Sequence, residues 1–170
     1  LQAATLDEAH SDSTPLKGMP MRIAIASDHA ALALKSALAD YLRAGGHDVA
    51  DLGPHDETSV DYPDYGYSLA AAIADGSAER GIALCGSGIG ISIAVNRNPG
   101  ARAALVSEPL SARLAREHND ANVIAMGARL IGIEMAKACI DAFLLTDFGG
   151  DRHQRRVDKL SNPITTKEPA

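Results

Sequence analysis

Aromatic residues are scarce in this chain. Its 170 residues include no Trp, two Phe and four Tyr, so the core must be built from Ala, Ile, Leu and Val. Cysteine is almost absent as well, with only Cys85 and Cys139. Two cysteines do not suggest a disulfide framework, and we therefore expect a reducing, cytoplasmic compartment.

Positive charge and long apolar runs are also missing. The formal net charge of −6 opposes general nucleic-acid binding, because phosphate contacts need a basic surface. No apolar run approaches the roughly 20 residues that span a bilayer. No Cys/His cluster has the spacing of a zinc site. We therefore expect no nucleic-acid partner, no membrane partner and no metal.

The chain does contain a regular alternation of apolar runs and helical periodicity. The apolar runs predict five strands, at Arg22–Ser27, Asp48–Leu52, Gly81–Cys85, Ala101–Val106 and Ala121–Met126. Helical patterns follow them, at Ala31–Ala44, Tyr62–Ala74, from the glycine loop to about Asn96, Pro109–Glu117 and Ile131–Leu145. This alternation is typical of a parallel sheet covered on both faces. The predicted fold is α/β, a doubly wound (Rossmann-like) α/β/α sandwich with a five-stranded parallel sheet, and its ligand site should lie beyond the carboxyl ends of the strands.

The composition predicts one domain with a tail at each end. Residues 1–20 mix small and polar residues without a sustained period, and we expect a flexible tail there. Residues 21–160 form the single predicted domain, which includes a C-terminal basic arm, and residues 161–170 form a polar tail. In the arm, Arg152 and Arg156 are four positions apart, so on a helix they would share one face and could clamp a phosphate. A solvated basic surface or a nucleic-acid-binding arm are the alternatives.

The most informative residue is Cys85, which ends an apolar run. The loop Gly86-Ser87-Gly88-Ile89-Gly90 follows at once, before the pattern turns helical. A thiolate beside a row of backbone N–H groups can transfer protons, and the loop can hold an anion. The loop lacks both the dinucleotide-binding spacing and the lysine of a P-loop. A small buried core residue is the alternative for Cys85, and it is the favoured interpretation for Cys139, which sits mid-helix among apolar residues.

Two other polar groups follow the ends of regular elements. Asp28 and His29 end the first predicted strand, so in a parallel sheet they share an edge with Cys85. Asp28 could instead serve only as a helix N-cap. His118 follows the end of a predicted helix, where it could do no more than interact with the helix dipole.

With these residues in place, the chain resembles the ribose-5-phosphate isomerase B family, within a wider group that includes the galactose-6-phosphate isomerase subunits. The matching segments run in order over nearly everything except the first tail. They are Ser27-Asp28-His29, Asp61-Tyr62-Pro63, Cys85 to Ser92 with Asn96, Ser107-Glu108-Pro109, His118 to Val123, Gly127-Ala128-Arg129, and Arg152-His153-Gln154 with Arg156-Val157.

The resemblance implies a cofactor-free aldose–ketose isomerase. It would interconvert D-ribose 5-phosphate and D-ribulose 5-phosphate through a cis-enediolate, in the non-oxidative branch of the pentose phosphate pathway. The implied catalytic residues are Cys85 as the base, Ser87 as a hydroxyl donor, Asp28 beside the sugar oxygens and His118 as the ring-opening acid/base. The implied substrate- and phosphate-binding set is His29, Tyr62, Gly86, Gly88, Ile89, Gly90, Asn119, Arg129, Arg152 and Arg156.

The resemblance also implies a homodimer, or a dimer of such dimers, with active sites shared between subunits. Ser87 stands where many relatives have Thr, which keeps the hydroxyl. Asp151 places a carboxylate beside Arg152 and leaves the choice between five-carbon and six-carbon sugar phosphates open. A non-catalytic sugar-phosphate or nucleotide-binding module on the same fold is the other class that the sequence leaves open.

Overall fold

The computed structural model describes residues 19–163. The two predicted tails, residues 1–20 and 161–170, therefore lie outside the described residues, apart from positions 19–20 and 161–163. The division into one domain and two tails stays a prediction.

Five parallel strands form a single sheet in the order β2-β1-β3-β5-β4. The strands are β1 (Arg22–Ser27), β2 (Asp48–Asp51), β3 (Arg80–Cys85), β4 (Ala103–Leu105) and β5 (Val123–Gly127). Every neighbouring pair is parallel. The chain winds outward from β1 to β2 and then in the other direction from β3, so the direction switches between β1 and β3. The predicted five-stranded, doubly wound sheet is confirmed.

Helices cover both faces of this sheet. They are α1 (Leu32–Ala44), α2 (Tyr62–Ala74), α3 (Ile89–Val95), α4 (Pro109–Asn119), α5 (Ile133–Leu144) and α6 (Gln154–Ser161), and 3₁₀ turns cover His29–Ala31 and Asp151–His153. Helices α2 and α3 pack together on one face, whereas α1, α4 and α5 pack on the other. The described residues therefore form the predicted α/β/α sandwich.

Several boundaries differ from the sequence-based prediction. Helix α4 extends to Asn119, so His118 lies inside its last turn and does not follow the helix as predicted, and β5 spans Val123–Gly127 instead of Ala121–Met126. Strand β4 is shorter than predicted, because the N–H of Ala101 still closes a turn onto the carbonyl of Asn98. Helix α5 starts two residues late, because the N–H groups of Leu130 and Ile131 bond to the carbonyl of Gly127 in a turn. Helix α6 occupies what the sequence indicated only as a basic stretch.

The two faces of the sheet carry side chains of different size. Along β1, Ile23 and Ile25 point to the α1/α4/α5 layer, whereas Ala24 and Ala26 point to the α2/α3 layer. Small side chains let α2 and α3 lie close to the sheet and to each other. At Gly66 of α2, an added Cβ would come within 2.8 Å of the Cβ of Ala94 in α3.

Strand β4 lies at the edge of the sheet, and an asparagine covers part of it. The Asn96 amide accepts from the N–H of Ala103 at 2.8 Å and donates to its carbonyl at 2.9 Å. Arg102, one residue earlier, bonds inward to β5 through its carbonyl. Asn96 thus satisfies outward-facing backbone groups that an edge strand otherwise leaves open for pairing.

We expect the alanine-lined face to reject larger side chains. Ala83→Ile should lower the free energy of unfolding by about 1–3 kcal/mol, because it overpacks the fully buried α2/α3 layer. Urea denaturation measures the loss. The control is Ala37→Ile at an exposed position of α1, which should cost only about 0.5 kcal/mol of helix propensity. Equal losses at the two positions would contradict the tight packing.

Candidate active site

Backbone hydrogen bonds tie together three strand exits at the carboxyl edge of the sheet. The N–H of Asp28 donates to the carbonyl of Leu84 at 3.1 Å, which joins the exit of β1 to that of β3. The N–H groups of Ala128 and Arg129 donate to the carbonyls of Cys85 and Gly86 at 2.9 and 3.0 Å, which joins β5 to β3. Asp28, Cys85 and Arg129 therefore lie at one edge, as the parallel topology predicts for the first two.

Cys85 is buried, with 4% of its surface exposed, and its sulfur faces the glycine loop. The N–H of Gly88 donates to its Sγ at 3.0 Å. Gly88 has φ +76°, and an added Cβ would lie 2.7 Å from Leu105 Cδ1 and from the carbonyl carbon of Met126. Only glycine can make this turn, and the turn directs a peptide dipole at the sulfur, where it stabilises negative charge.

Cys139 has a different environment. It is fully buried in the α1/α4/α5 layer, and burial, reinforced by the charge of Glu108, raises the pKa of its thiol to about 11. Cys139 is therefore a neutral core residue at neutral pH, in agreement with its expected structural role.

The two other glycines of the loop make room for side chains of the candidate binding set. An added Cβ at Gly86 would lie 3.2 Å from Nη1 of Arg129. An added Cβ at Gly90 would lie 2.5 Å from Cζ of Tyr62. The loop is predicted to hold an anion through its backbone N–H groups, and at these two positions the protein's own Arg129 and Tyr62 occupy the space beside the backbone. Arg129 and Tyr62 therefore flank the loop that holds Cys85.

Hydrogen bonds define what Asp28, His29 and Ser87 can offer to a ligand. Oδ1 of Asp28 accepts from the N–H of Ala30 at 3.0 Å, so Asp28 does cap the following 3₁₀ turn. Nδ1 of His29 accepts from the N–H of Val60 at 3.2 Å. In neutral His29 this bond places the ring proton on Nε2, as a donor.

The hydroxyl oxygen of Ser87 accepts from the N–H of Ile89 at 3.3 Å. Its proton remains available for an acceptor. Ser87 and Ile89 also line a small cavity of about 220 Å³ beside the loop, together with Leu105 and Leu130. Ile89, Leu105 and Leu130 are about half exposed or more, so an apolar surface adjoins the cysteine loop.

The remaining predicted site residues lie at the opposite, amino edge of the sheet. Helix α4 begins after β4 and ends before β5, so its last residues, His118 and Asn119, face away from the Cys85 edge. Asn119 lines a cavity of about 490 Å³ together with Ala101, Ala121 and Leu160. Ala101 precedes β4, Ala121 precedes β5 and Leu160 belongs to α6.

Arg152 and Arg156 belong to the same edge, in the last 3₁₀ turn and in α6. The N–H of Gly149 donates to the carbonyl of Glu117 at 2.9 Å and holds this arm against the end of α4. Strand β3 alone crosses five residue steps of about 3.3 Å between the edges, so the two sets lie on the order of 15 Å apart. One chain does not bring His118, Asn119, Arg152 and Arg156 to Cys85.

A stacked pair of histidines marks the amino-edge set. The rings of His118 and His153 lie 4.5 Å apart between centroids and within 10° of parallel. Oε1 of Glu117 lies 3.8 Å from Nε2 of His118. The pKa of His153 is lowered by desolvation, and further by His118, Arg152 and Arg156. The sequence pattern groups His153 only with the arginines, because nothing in the spacing links it to a residue in α4.

Other members of the His118 to Val123 segment are structural. Asp120 adopts the left-handed conformation that ends α4, with φ 45°. Its two carboxylate oxygens accept from Arg102 at 2.9 Å and from Arg116 at 2.7 Å. Asn122 accepts from the N–H of Arg102 at 2.7 Å. These contacts fix the end of α4 and the approach to β4, while His118 stays partly exposed and Asn119 exposed.

Residues 19–163 contain no group of three or more His, Cys, Asp or Glu side chains arranged to hold a metal ion. Among the helices of this described part, none has both the length and the apolar character needed to cross a membrane.

Comparison with known proteins gives consistent matches over this fold. A model of the ribose/galactose isomerase family matches residues 23–160. The chain is 44% identical over 140 residues to ribose-5-phosphate isomerase B of Escherichia coli, covering 82% of this chain and 94% of that protein. It is 46% identical over 142 residues to the D-erythrulose-4-phosphate isomerase of Pectobacterium atrosepticum, covering 82% and 93%.

A solved structure agrees with these sequence matches. The crystal structure of a ribose 5-phosphate isomerase from Thermotoga maritima superimposes with a TM-score of 0.82 at 50% identity. The match covers 83% of this chain and 97% of that one, so it includes both edges of the sheet.

Proposed function

The chain belongs to the ribose/galactose isomerase family, and we propose that it is an aldose–ketose isomerase that interconverts D-ribose 5-phosphate and D-ribulose 5-phosphate. The observation that carries this proposal is the buried sulfur of Cys85, which accepts from the N–H of Gly88 at 3.0 Å between Asp28 and Arg129. An isomerase of this kind needs one base that can reach two adjacent carbons, and a sulfur anion held by a fixed donor meets that need.

The isomerisation step uses groups of the carboxyl edge. The Cys85 thiolate removes the hydrogen on C2 of the open-chain aldose, and a cis-enediolate forms. The thiol then returns a proton to C1, while Asp28 moves a proton from the oxygen on C2 to the oxygen on C1. Amides of the Gly86–Gly90 loop and the hydroxyl of Ser87 stabilise the charge on these oxygens. One such donor typically contributes about 3 kcal/mol to lowering the barrier.

Ring opening must come first, because ribose 5-phosphate is mainly a closed furanose. The bond between C1 and the ring oxygen breaks, His118 supplies a proton to the ring oxygen, and the hydroxyl proton on C1 passes to water as the aldehyde forms. Asn119, beside His118, fixes sugar hydroxyls. The phosphate is held by side chains that donate hydrogen bonds from a fixed charge or a fixed proton, which suits an anion. These are His29, Arg129, Arg152 and Arg156. Tyr62, packed over Gly90, lines the pocket.

The two-edge arrangement supports a homodimer with shared active sites. Each chain carries one carboxyl-edge set around Cys85 and one amino-edge set around His118, separated by the length of the strands in its own sheet. A second copy that brings its amino edge to this carboxyl edge completes the site. The exposed apolar residues beside the loop, Ile89, Leu105 and Leu130, suit contact with that copy. Two-fold symmetry then forms two equivalent sites.

We place this activity in the cytoplasm. Both cysteines are free thiols, which is the usual state in a reducing compartment, and phosphorylated sugars are intracellular metabolites.

The direct test of this function compares substrates of different length. The purified chain should convert D-ribose 5-phosphate to D-ribulose 5-phosphate with a higher kcat/KM than it shows for the six-carbon D-allose 6-phosphate. A coupled assay of ketose formation measures both reactions. A higher kcat/KM for the hexose phosphate would overturn the pentose assignment, and no turnover of either would overturn the isomerase assignment.

The role of Cys85 predicts that its removal affects catalysis and leaves binding intact. Cys85→Ala should lower kcat by about 10³-fold or more, because no other group replaces the base, while ribose 5-phosphate still binds in a calorimetric titration. Cys139→Ala is the matched control, since it removes the other buried thiol from the opposite layer, and it should keep wild-type kcat. A Cys85→Ala protein that still turns over would show that the thiol is not the base.

Shared sites predict complementation between inactive chains. Cys85→Ala and His118→Asn chains, refolded together in equal amounts, should recover up to about one quarter of wild-type activity, because about half of the dimers are mixed and each has one intact site of two. Cys85→Ala mixed with Asp28→Asn is the control and should stay inactive, since both changes damage the carboxyl-edge set. If the first mixture also stays inactive, the sites are not shared.

A further inference from the structure

The stacked imidazoles of His118 and His153 form a side-chain contact that the mechanism above does not use. We infer that His153 is a positioning residue, whose flat ring holds His118 in the orientation from which it protonates the ring oxygen of the furanose. The inference rests on the proposed function, because it assigns a partner to the ring-opening group.

The first argument is the way the backbone builds this contact. The N–H of Gly149 donates to the carbonyl of Glu117, the residue before His118, at 2.9 Å. A Cβ at Gly149 would approach that carbonyl oxygen to 3.0 Å, so glycine lets the arm lie this close. The N–H of His153 donates to the carbonyl of Gly150 at 2.9 Å and closes the turn that presents the second ring.

The second argument concerns the freedom of His118 without this partner. His118 lies in the last turn of α4, and 38% of its side chain is exposed, so the helix alone leaves its ring free to rotate. Oε1 of Glu117 lies 3.8 Å from its Nε2, beyond hydrogen-bond distance. A parallel ring with centroids 4.5 Å away restricts the plane of the imidazole, and a misplaced acid transfers protons poorly.

The third argument concerns charge. The groups that face His153 are His118, Arg152, Arg156 and Glu117, and only Glu117 opposes the lowering of its pKa. Desolvation lowers the pKa of His153 first, and the two arginines and His118 lower it further. His153 therefore stays neutral at neutral pH, so a proton carried by His118 meets the face of a neutral ring, which attracts cations. Two charged rings at this distance would repel each other.

The test separates ring opening from proton transfer at carbon. Ribulose 5-phosphate is open-chain, because its C5 oxygen carries the phosphate and cannot close a five-membered ring. Exchange of its C1 hydrogen in D₂O, followed by NMR, therefore reports the Cys85 step alone. Net conversion of ribose 5-phosphate reports ring opening together with that step.

His153→Ala should lower net conversion of ribose 5-phosphate by about 10- to 100-fold, while C1 exchange stays within about threefold of wild type. His153→Phe, which keeps a flat ring and cannot titrate, should restore most of the net conversion. Arg155→Ala, an exposed change in the same arm, should leave both readouts unchanged.

Three results would overturn the inference. They are unchanged net conversion in His153→Ala, an equal fall in both readouts, and a His153→Phe protein no better than His153→Ala. Failure of the proposed function is a separate outcome, because the wild-type chain would then show neither net conversion nor C1 exchange.

Discussion

One backbone N–H, that of Gly88, points at the sulfur of Cys85 from 3.0 Å, and the carboxyl edge of the sheet depends on that contact. The turn that makes it is open only to glycine, because Leu105 and the backbone of β5 lie where a side chain would start. Ser87 and Ile89, the first residue of α3, flank Gly88 in the same turn. Two further glycines admit Arg129 and Tyr62, so the loop, its cysteine and two binding candidates form a single packed unit.

The separation of the two residue sets follows from the handedness and direction of the fold. A helix that connects parallel strands must run back across the sheet, so α4 carries His118 and Asn119 to the edge that Cys85 does not reach. The C-terminal arm is held at that same edge by Gly149 and Glu117. In the proposed mechanism the base and the ring-opening acid lie at different edges of one chain, and the proposed dimer brings them together.

Much of the fold could be predicted from the sequence because short apolar runs alternate with segments of helical periodicity along most of it. The Ile-Ala alternation of β1 and the apolar run into Cys85 mark strands buried on both faces, and the helices between them have clear starting and stopping residues. The limits of β4 and α5 could not be predicted, since turn hydrogen bonds onto Asn98 and Gly127 decide them. The shared edge of Asp28 and Cys85 follows from parallel topology alone.

The contents of the site were harder to predict. The stack of His118 on His153 depends on how the arm folds back, and no local pattern encodes that. The requirement for glycine at Gly86 and Gly90 could not be predicted either, because the side chains that occupy the space beside them, those of Arg129 and Tyr62, come from distant positions in the sequence. Asp120 and Asn122, by contrast, sit in a segment that resembles functional sequence, but Asp120 holds the end of α4 in place and Asn122 holds the residues before β4.

Asn96 follows α3 and covers part of the outer edge of β4, which limits how two copies of the chain can meet. Only Ala103 and Leu105 direct backbone groups outward from β4, and the Asn96 amide already occupies the pair on Ala103. A single remaining residue is too little to start a ladder between chains, so the two sheets cannot merge into one continuous ten-stranded sheet through this edge. In the proposed dimer the protomers therefore meet through side-chain surfaces, and substitutions that change the shape of those surfaces decide whether the pair forms.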